Sequence, residues 1–236
     1  MQRLVGTAVL AALIAVLPTA ASAESRTYDV EPFTEIEISS GIDATIAIGD
    51  TRSVVAESSN SARLDELIVE VSGGRLHARF DWDIFDLFSL GESGRVQVTI
   101  TVPQVEAIDS NSGADVSAAG LTGERLSLST SSGADLDARD IDVDTVVLEA
   151  SSGGDLDVSG ACTSARAEAS SGADLDARDL VCADVDVEAS SGASAEVNAT
   201  RAARAEASSG ASIDIHGAPA DLKTDESSGG DVNLRS

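Results

Sequence analysis

One phrase returns along the second half of the chain and restricts what the whole can become. "TSSGADLDARD" at residues 130–140 comes back almost letter for letter as "ASSGADLDARD" at 169–179. "ASSGGDLDVSG", "ASSGASAEVNA", "ASSGASIDIHG" and "ESSGGDVNLRS" are variants of it. Its glycines are Gly113, Gly133, Gly153, Gly172, Gly192, Gly210 and Gly229, spaced 20, 20, 19, 20, 18 and 19 residues apart. Self-similarity at a fixed period near 20 is the mark of a solenoid, in which each repeat buries its apolar face only against its neighbours.

The columns of the repeat name its secondary structure. Three residues after each glycine stand Val116, Leu136, Leu156, Leu175, Ala195, Ile213 and Val232; five after it stand Ala118, Ala138, Val158, Ala177, Val197, Ile215 and Leu234. The positions between them are polar, chiefly aspartate. A period of two means a strand with one buried face. A second alternating run precedes each glycine, with Leu128, Leu148, Ala167, Val187 and Ala205 inward and Glu149, Glu168, Glu188 and Glu206 outward. Each repeat therefore holds at least two short strands, with Ser-Ser-Gly as the corner between them. A helical period of 3.6 is absent, and Ser-Ser-Gly would interrupt every helix of an α-solenoid. Disorder, which high charge and few aromatics also suggest, gives no reason for apolar residues to hold their columns.

The reading is an all-β fold: a right-handed parallel β-helix, one repeat of 19–20 residues per coil, each coil stacked about 4.8 Å above the last. Seven regular coils over residues 104–236 predict a rod of roughly 30–35 Å. Residues 24–103 read as a less regular N-terminal β portion of the same solenoid. Within it "SSGIDATIAIGD" at 39–50 is a further coil, and "AESSNSARLDE" at 56–66 reads as a decayed copy with Asn60 at the left-handed corner. "LIVEVSGGRLHARF" and "RVQVTITVP" supply more strands, and Pro103 marks the start of the regular stack. The coil holding Ala195, Val197, Ala203, Ala205 and Ala207 buries least, so local opening is expected there first.

The first 23 residues have a different purpose. One basic residue, Arg3, precedes an apolar run over residues 4–17, then Pro18 and a small-residue end, Ala21-Ser22-Ala23. That is the layout of a secretory signal, cleaved after Ala23, and the run is shorter than the roughly 20 residues a membrane span takes. The mature chain is expected to be secreted, to the periplasm or cell surface, with no transmembrane segment. Without Arg3, 14 basic residues face 41 acidic ones, from 15 and 41 in the whole chain. Such a surface repels phosphate backbones, which excludes nucleic acid as a partner.

The opening "FTEIEISSGIDATIAIGD", then "LIVEVSGGRLHARF", then "VQVTITVPQVEAIDSNSGADVSAAG" and the Ser-Gly-Ala-Asp coils resemble a known family of bacterial exported proteins, "putative auto-transporter adhesin, head GIN domain". The resemblance covers essentially all of the mature chain. It implies a parallel β-helix, a cell-envelope or surface location, and no catalytic motif.

Three features carry chemistry. Cys162 and Cys182 each lie ten residues before the next glycine and so share a column on adjacent coils. Their Cα atoms are expected near 4.8 Å apart, within disulfide range, and an exported compartment permits the bond. A reduced buried pair and metal or redox use are the alternatives, and two cysteines without nearby histidine make a poor zinc site. The columns Asp135, Asp155, Asp174 and Asp137, Asp157, Asp176 invite calcium, since stacked carboxylates repel and a divalent ion relieves that. The alternative is a solvated acidic face with no cofactor. Lastly, "RFDWDIFDLFSLGESG" at 79–94 gathers Phe80, Trp82, Phe85 and Phe88. It reads as a binding patch or as a segment folded back over an open flank.

A polysaccharide-cleaving enzyme, a frequent tenant of β-helices, needs a carboxylate pair in a cleft with one pKa raised. Here the carboxylates recur on every coil, the short corners leave little to wall a cleft, and His77 and His216 lie in unrelated contexts. The reading is non-enzymatic: an adhesion or binding module for an envelope or surface protein or glycan, with a passive spacer rod as the alternative.

Overall fold

The structure is a computed structural model describing residues 23–80 and 94–235. Its strands join in one seventeen-stranded sheet, wound into a β-solenoid of about six turns with a less regular N-terminal portion. The N-terminal elements are β1 (Glu24–Tyr28), β2 (Glu35–Ile38), β3 (Asp43–Ile48), β4 (Ser53–Ser58), helix α1 (Ser61–Glu66), β5 (Leu67–Ser72), β6 (Arg75–Phe80) and β7 (Val96–Val102). The coils follow as β8 (Ala107–Asn111), β9 (Asp115–Ala119), β10 (Thr122–Ser131), β11 (Asp135–Ser151), β12 (Asp155–Ala169), β13 (Asp174–Ala189) and β14 (Ser194–Ala207). The last rung and its approach comprise β15 (Ser212–Gly217), β16 (Asp221–Glu226) and β17 (Asp231–Arg235).

The aliphatic columns are continuous ladders. Val116, Leu136, Leu156, Leu175, Ala195, Ile213 and Val232 are successive register partners. All but Val232, which sits at the open end, are buried. The bore changes composition along its length. Ile36, Ile38, Ile42, Ile46, Ile100 and Ile108 fill it near the N-terminal end, Ala195, Ala199, Ala203, Ala205 and Ala207 fill much of a later coil, and Ile213 and Ile215 follow beyond that coil. Two buried hydroxyls find partners inside: Ser110 donates to the Asp135 carbonyl at 3.2 Å, and Thr130 to the Ala134 carbonyl at 2.7 Å.

Each corner is a tight turn in which serine shares the strain with glycine. In the Ser131–Ala134 turn the Ala134 N–H bonds back to the Ser131 carbonyl at 3.3 Å, and both central residues are left-handed, Ser132 at φ 58° and Gly133 at φ 67°. Two positive φ values define the primed turn that fits strand twist. Ser40, Ser112, Ser152, Ser171, Ser191, Ser209 and Ser228 repeat it. The corner thus asks of its second serine what the sequence reading asked of glycine alone.

Spatial order departs from chain order in the N-terminal part. β2 lies between β6 and β8, and β3 between β7 and β9, all in parallel register. The coil of residues 35–48 is therefore enclosed between strands from residues 75–102 and the coil of residues 107–119. Beyond β7 the sheet ends in antiparallel strands, β7–β4–β1, and beyond β6 in β5. Larger side chains fill this end, among them Phe33 ahead of β2, Leu64 of α1, Leu67 of β5 and Phe80 of β6, all buried.

The expectation for residues 56–66 is overturned. Asn60 is extended, at φ −121°, and caps α1, its side-chain oxygen accepting the Ala62 N–H. Asn is as good an N-cap as it is a left-handed corner, and Ala62, Arg63 and Leu64 behind it favour helix, with Leu64 fully buried.

Candidate functional site

The wall formed by the strands after each corner is flat and acidic. Asp43, Asp115, Asp135, Asp155 and Asp174 are successive register partners, an unbroken column of five carboxylates, continued by Ser194, Ser212 and Asp231. Two residues along each strand runs a second column: Thr45, Ser117, Asp137, Asp157, Asp176, Glu196, Asp214 and Asn233. Alternation places both outside while their neighbours fill the bore.

Arginine neutralises parts of the second column, whereas in the first it reaches only Asp43 at the end, through Arg95 at 3.4 Å, among the described residues. Arg139 pairs with Asp137, and Arg178 spans two coils to reach Asp176 and Glu196, the latter at 2.8 Å. His216 meets Glu196 at 2.9 Å, and Arg235 meets Asp214 at 3.0 Å. Asp157, between Asp137 and Asp176, makes no ion pair among the described residues. Burial, then repulsion from Asp176 and Asp137, raises its pKa. Burial followed by neighbouring aspartates does the same for Asp135 and Asp174. Burial also pushes Asp176 upward, but hydrogen bonds and charge from Arg178 outweigh it and hold the group below the ordinary value.

The wall before each corner carries glutamates. Glu149, Glu168, Glu188, Glu206 and Asp225 form one column, crossed by Arg166, which reaches Glu168 at 2.7 Å and Glu188 at 3.1 Å, and by Arg204, which pairs with Glu206. Among the described residues, no group of three or more His, Cys, Asp or Glu side chains is arranged to hold a metal ion. The aspartate columns run side by side instead of converging, so each neighbour contributes repulsion without closing a coordination shell.

Cys162 and Cys182 are register partners on adjacent coils and form a disulfide, with Cα atoms 4.6 Å apart. Phe80 does not join an exposed patch. It is 5% exposed at the end of β6, beside Leu67, with the Arg63 guanidinium 3.9 Å above its ring. Its burial is the fate of an inward position on a strand that closes the bore. Trp82, Phe85 and Phe88 lie outside the described residues.

One charged cluster escaped the sequence reading. Arg75 of β6 reaches Glu35 of β2 at 2.8 Å, Glu37 at 3.7 Å, and Asp109 of β8, while His77 meets Glu37 at 3.1 Å. Burial raises the Asp109 pKa against the pull of Arg75. Alternation marks all five as outward, but only the spatial order β6–β2–β8 brings them together.

Residues 32–219 match the family "putative auto-transporter adhesin, head GIN domain". The chain belongs to that family. Among solved structures, the family fold seen here resembles that of a putative adhesin from Bacteroides fragilis, with a TM-score of 0.80 and 16% identity over 92% of this chain and 98% of that one. A putative lipid binding protein from Parabacteroides distasonis aligns with a TM-score of 0.72 and 16% identity over 91% and 97% of the two chains. A putative adhesin from the same organism aligns with a TM-score of 0.67 and 15% identity over 91% and 97%. At these identities the likeness is one of fold. Comparison with curated proteins found no match. No helix among the described residues is long and apolar enough to cross a membrane.

Proposed function

We propose that this chain is an exported, non-enzymatic adhesion module of the bacterial cell envelope or surface, binding through its outer walls. The family supports the adhesive role, and the layout of residues 1–23 supports export. The observation that carries the reading is the column Asp43, Asp115, Asp135, Asp155 and Asp174, which among the described residues meets no arginine apart from a 3.4 Å approach of Arg95 to Asp43 at its end. Side chains fill the bore, so a ligand meets the solenoid from outside. A row of like charges is poor company for itself and good company for a cationic surface, whether basic groups of a glycan or protein or an ion held between two acidic walls.

Capture from the native envelope tests this. The natural chain and a triple variant, Asp135→Asn, Asp155→Asn and Asp174→Asn, are compared with and without calcium and at raised salt. Capture that the triple variant and salt abolish supports the acidic wall, and capture that returns with calcium assigns the ion. The same partners on both chains argue instead for the second reading, a passive spacer. That reading draws on the arginines that neutralise the second column. Trp82→Ser with Phe85→Ser, taken alongside, separates an aromatic anchor from the wall.

A further inference from the structure

The solenoid end formed by β16 and β17 carries a residue that breaks the rule of its column. Three residues before each corner glycine the inward position holds Ser110, Thr130, Ala150, Ala169, Ala189 and Ala207, all buried. In the last rung the register partner of Ala207 is Glu226. The other inward groups of that rung include Leu222 and Leu234, 38% and 53% exposed. Free strand edges and uncovered aliphatic groups would by themselves invite another rung.

Glu226 lies across that opening. Its Oε1 accepts the Val232 N–H at 3.1 Å. The preceding N–H, of Asp231, bonds back into the stack, to the Ala211 carbonyl at 3.0 Å. Consecutive N–H groups of a strand point to opposite sides, so that of Val232 faces away from the stack, where the carbonyl of a further rung would accept it. The Glu226 carboxylate occupies that carbonyl's position. A strand pairing here must break the bond and bury an uncompensated charge over an apolar bore.

We propose that Glu226 guards this edge, preventing a second copy of the chain from adding end to end onto β16 and β17. The rim reinforces it, since Asp221, Asp225 and Asp231 outnumber Lys223 and Arg235 and two copies would bring like charges together. The inference does not depend on what the outer walls bind.

Sedimentation of the full chain over a concentration series provides the test. The natural chain is expected to sediment as one copy, and Glu226→Val to self-associate at least about tenfold more tightly. Glu226→Gln keeps the acceptor without the charge and falls between. Adding Leu234→Lys to Glu226→Val restores the single copy, because the interface lies at this end. Amide exchange at Val232 should be slow in the natural chain and in Glu226→Gln, and faster in a dilute, unassociated sample of Glu226→Ala. Glu226→Ala also serves for sedimentation should valine disturb the circular dichroism. The proposal is overturned if these variants sediment as the natural chain does, if the natural chain already pairs through this edge, or if Leu234→Lys leaves the association intact.

Discussion

Thr45 and Ser117 stand side by side on adjacent strands, 72 residues apart in the chain, with the serine hydroxyl 3.4 Å from that of the threonine. The coil that is made first is thus completed by neighbours made later. Contacts of such separation must overcome loop-closure entropy before they stabilise anything. A chain ending at residue 104 leaves β2 and β3 without their partners β8 and β9, and circular dichroism should show it lacking strand structure. Extension to residue 151, which supplies two further coils, should restore it.

The left-handed serines give a local handle on stability. A non-glycine residue in that region costs about 1–2 kcal/mol, and asparagine tolerates it better than serine does. Ser132→Asn is expected to stabilise the chain by about 0.5 kcal/mol, and Ser132→Val to destabilise it by about 1–2 kcal/mol. Denaturant midpoints read both. The neighbouring Ser131, where φ is not positive, serves as the control.

Cys162 and Cys182 close a loop with a sequence separation of 20. Replacing both with alanine is expected to cost on the order of 3 kcal/mol. The coil carrying Ala195, Ala203 and Ala205 lies immediately beyond the tie and has the least apolar area to bury. Hydrogen exchange should find its amides the first to open, and earlier still in the double alanine variant.

Acid should act on the wall in two opposite steps. Asp135, Asp157 and Asp174 have folded-state pKa values above the unfolded value of 3.8, so their charged forms oppose folding, and that opposition fades as pH falls through the raised values. Asp176 and Asp214 lie below 3.8. Their contribution is present above 3.8 and is lost as pH falls through the depressed values. Thermal melts should therefore rise as pH falls from neutral through the raised values toward 3.8, then fall as it drops further through the depressed ones. Asp157→Asn should raise the melting temperature at neutral pH, with the difference shrinking on mild acidification.

The regular coils were legible because their constraint is local and repeated. Leu136, Leu156 and Leu175 share a column whichever coil is considered, and Cys162 and Cys182 follow from the same arithmetic. The glutamate and aspartate walls were legible as the complement of those columns. The N-terminal part was not, because nothing in "SSGIDATIAIGD" says that its neighbouring strand in space begins at Asp115. Asn60 illustrates the local ambiguity: the residue suits a turn or a helix start equally, and the buried seat of Leu64 decides. Phe80 stands near Trp82 in sequence, but strand alternation turns it inward. The Arg75 cluster needed three strands in an order that only packing against the cap determines.

The alanine-filled stretch of the bore also decides how the molecule meets a pull. Grip is least in the coil of Ala195, Ala203 and Ala205, so tension applied at the carboxyl end would peel off that coil together with the rungs beyond it. Unwinding would reach the covalent link between Cys162 and Cys182 and stall, leaving the isoleucine-filled remainder folded under load.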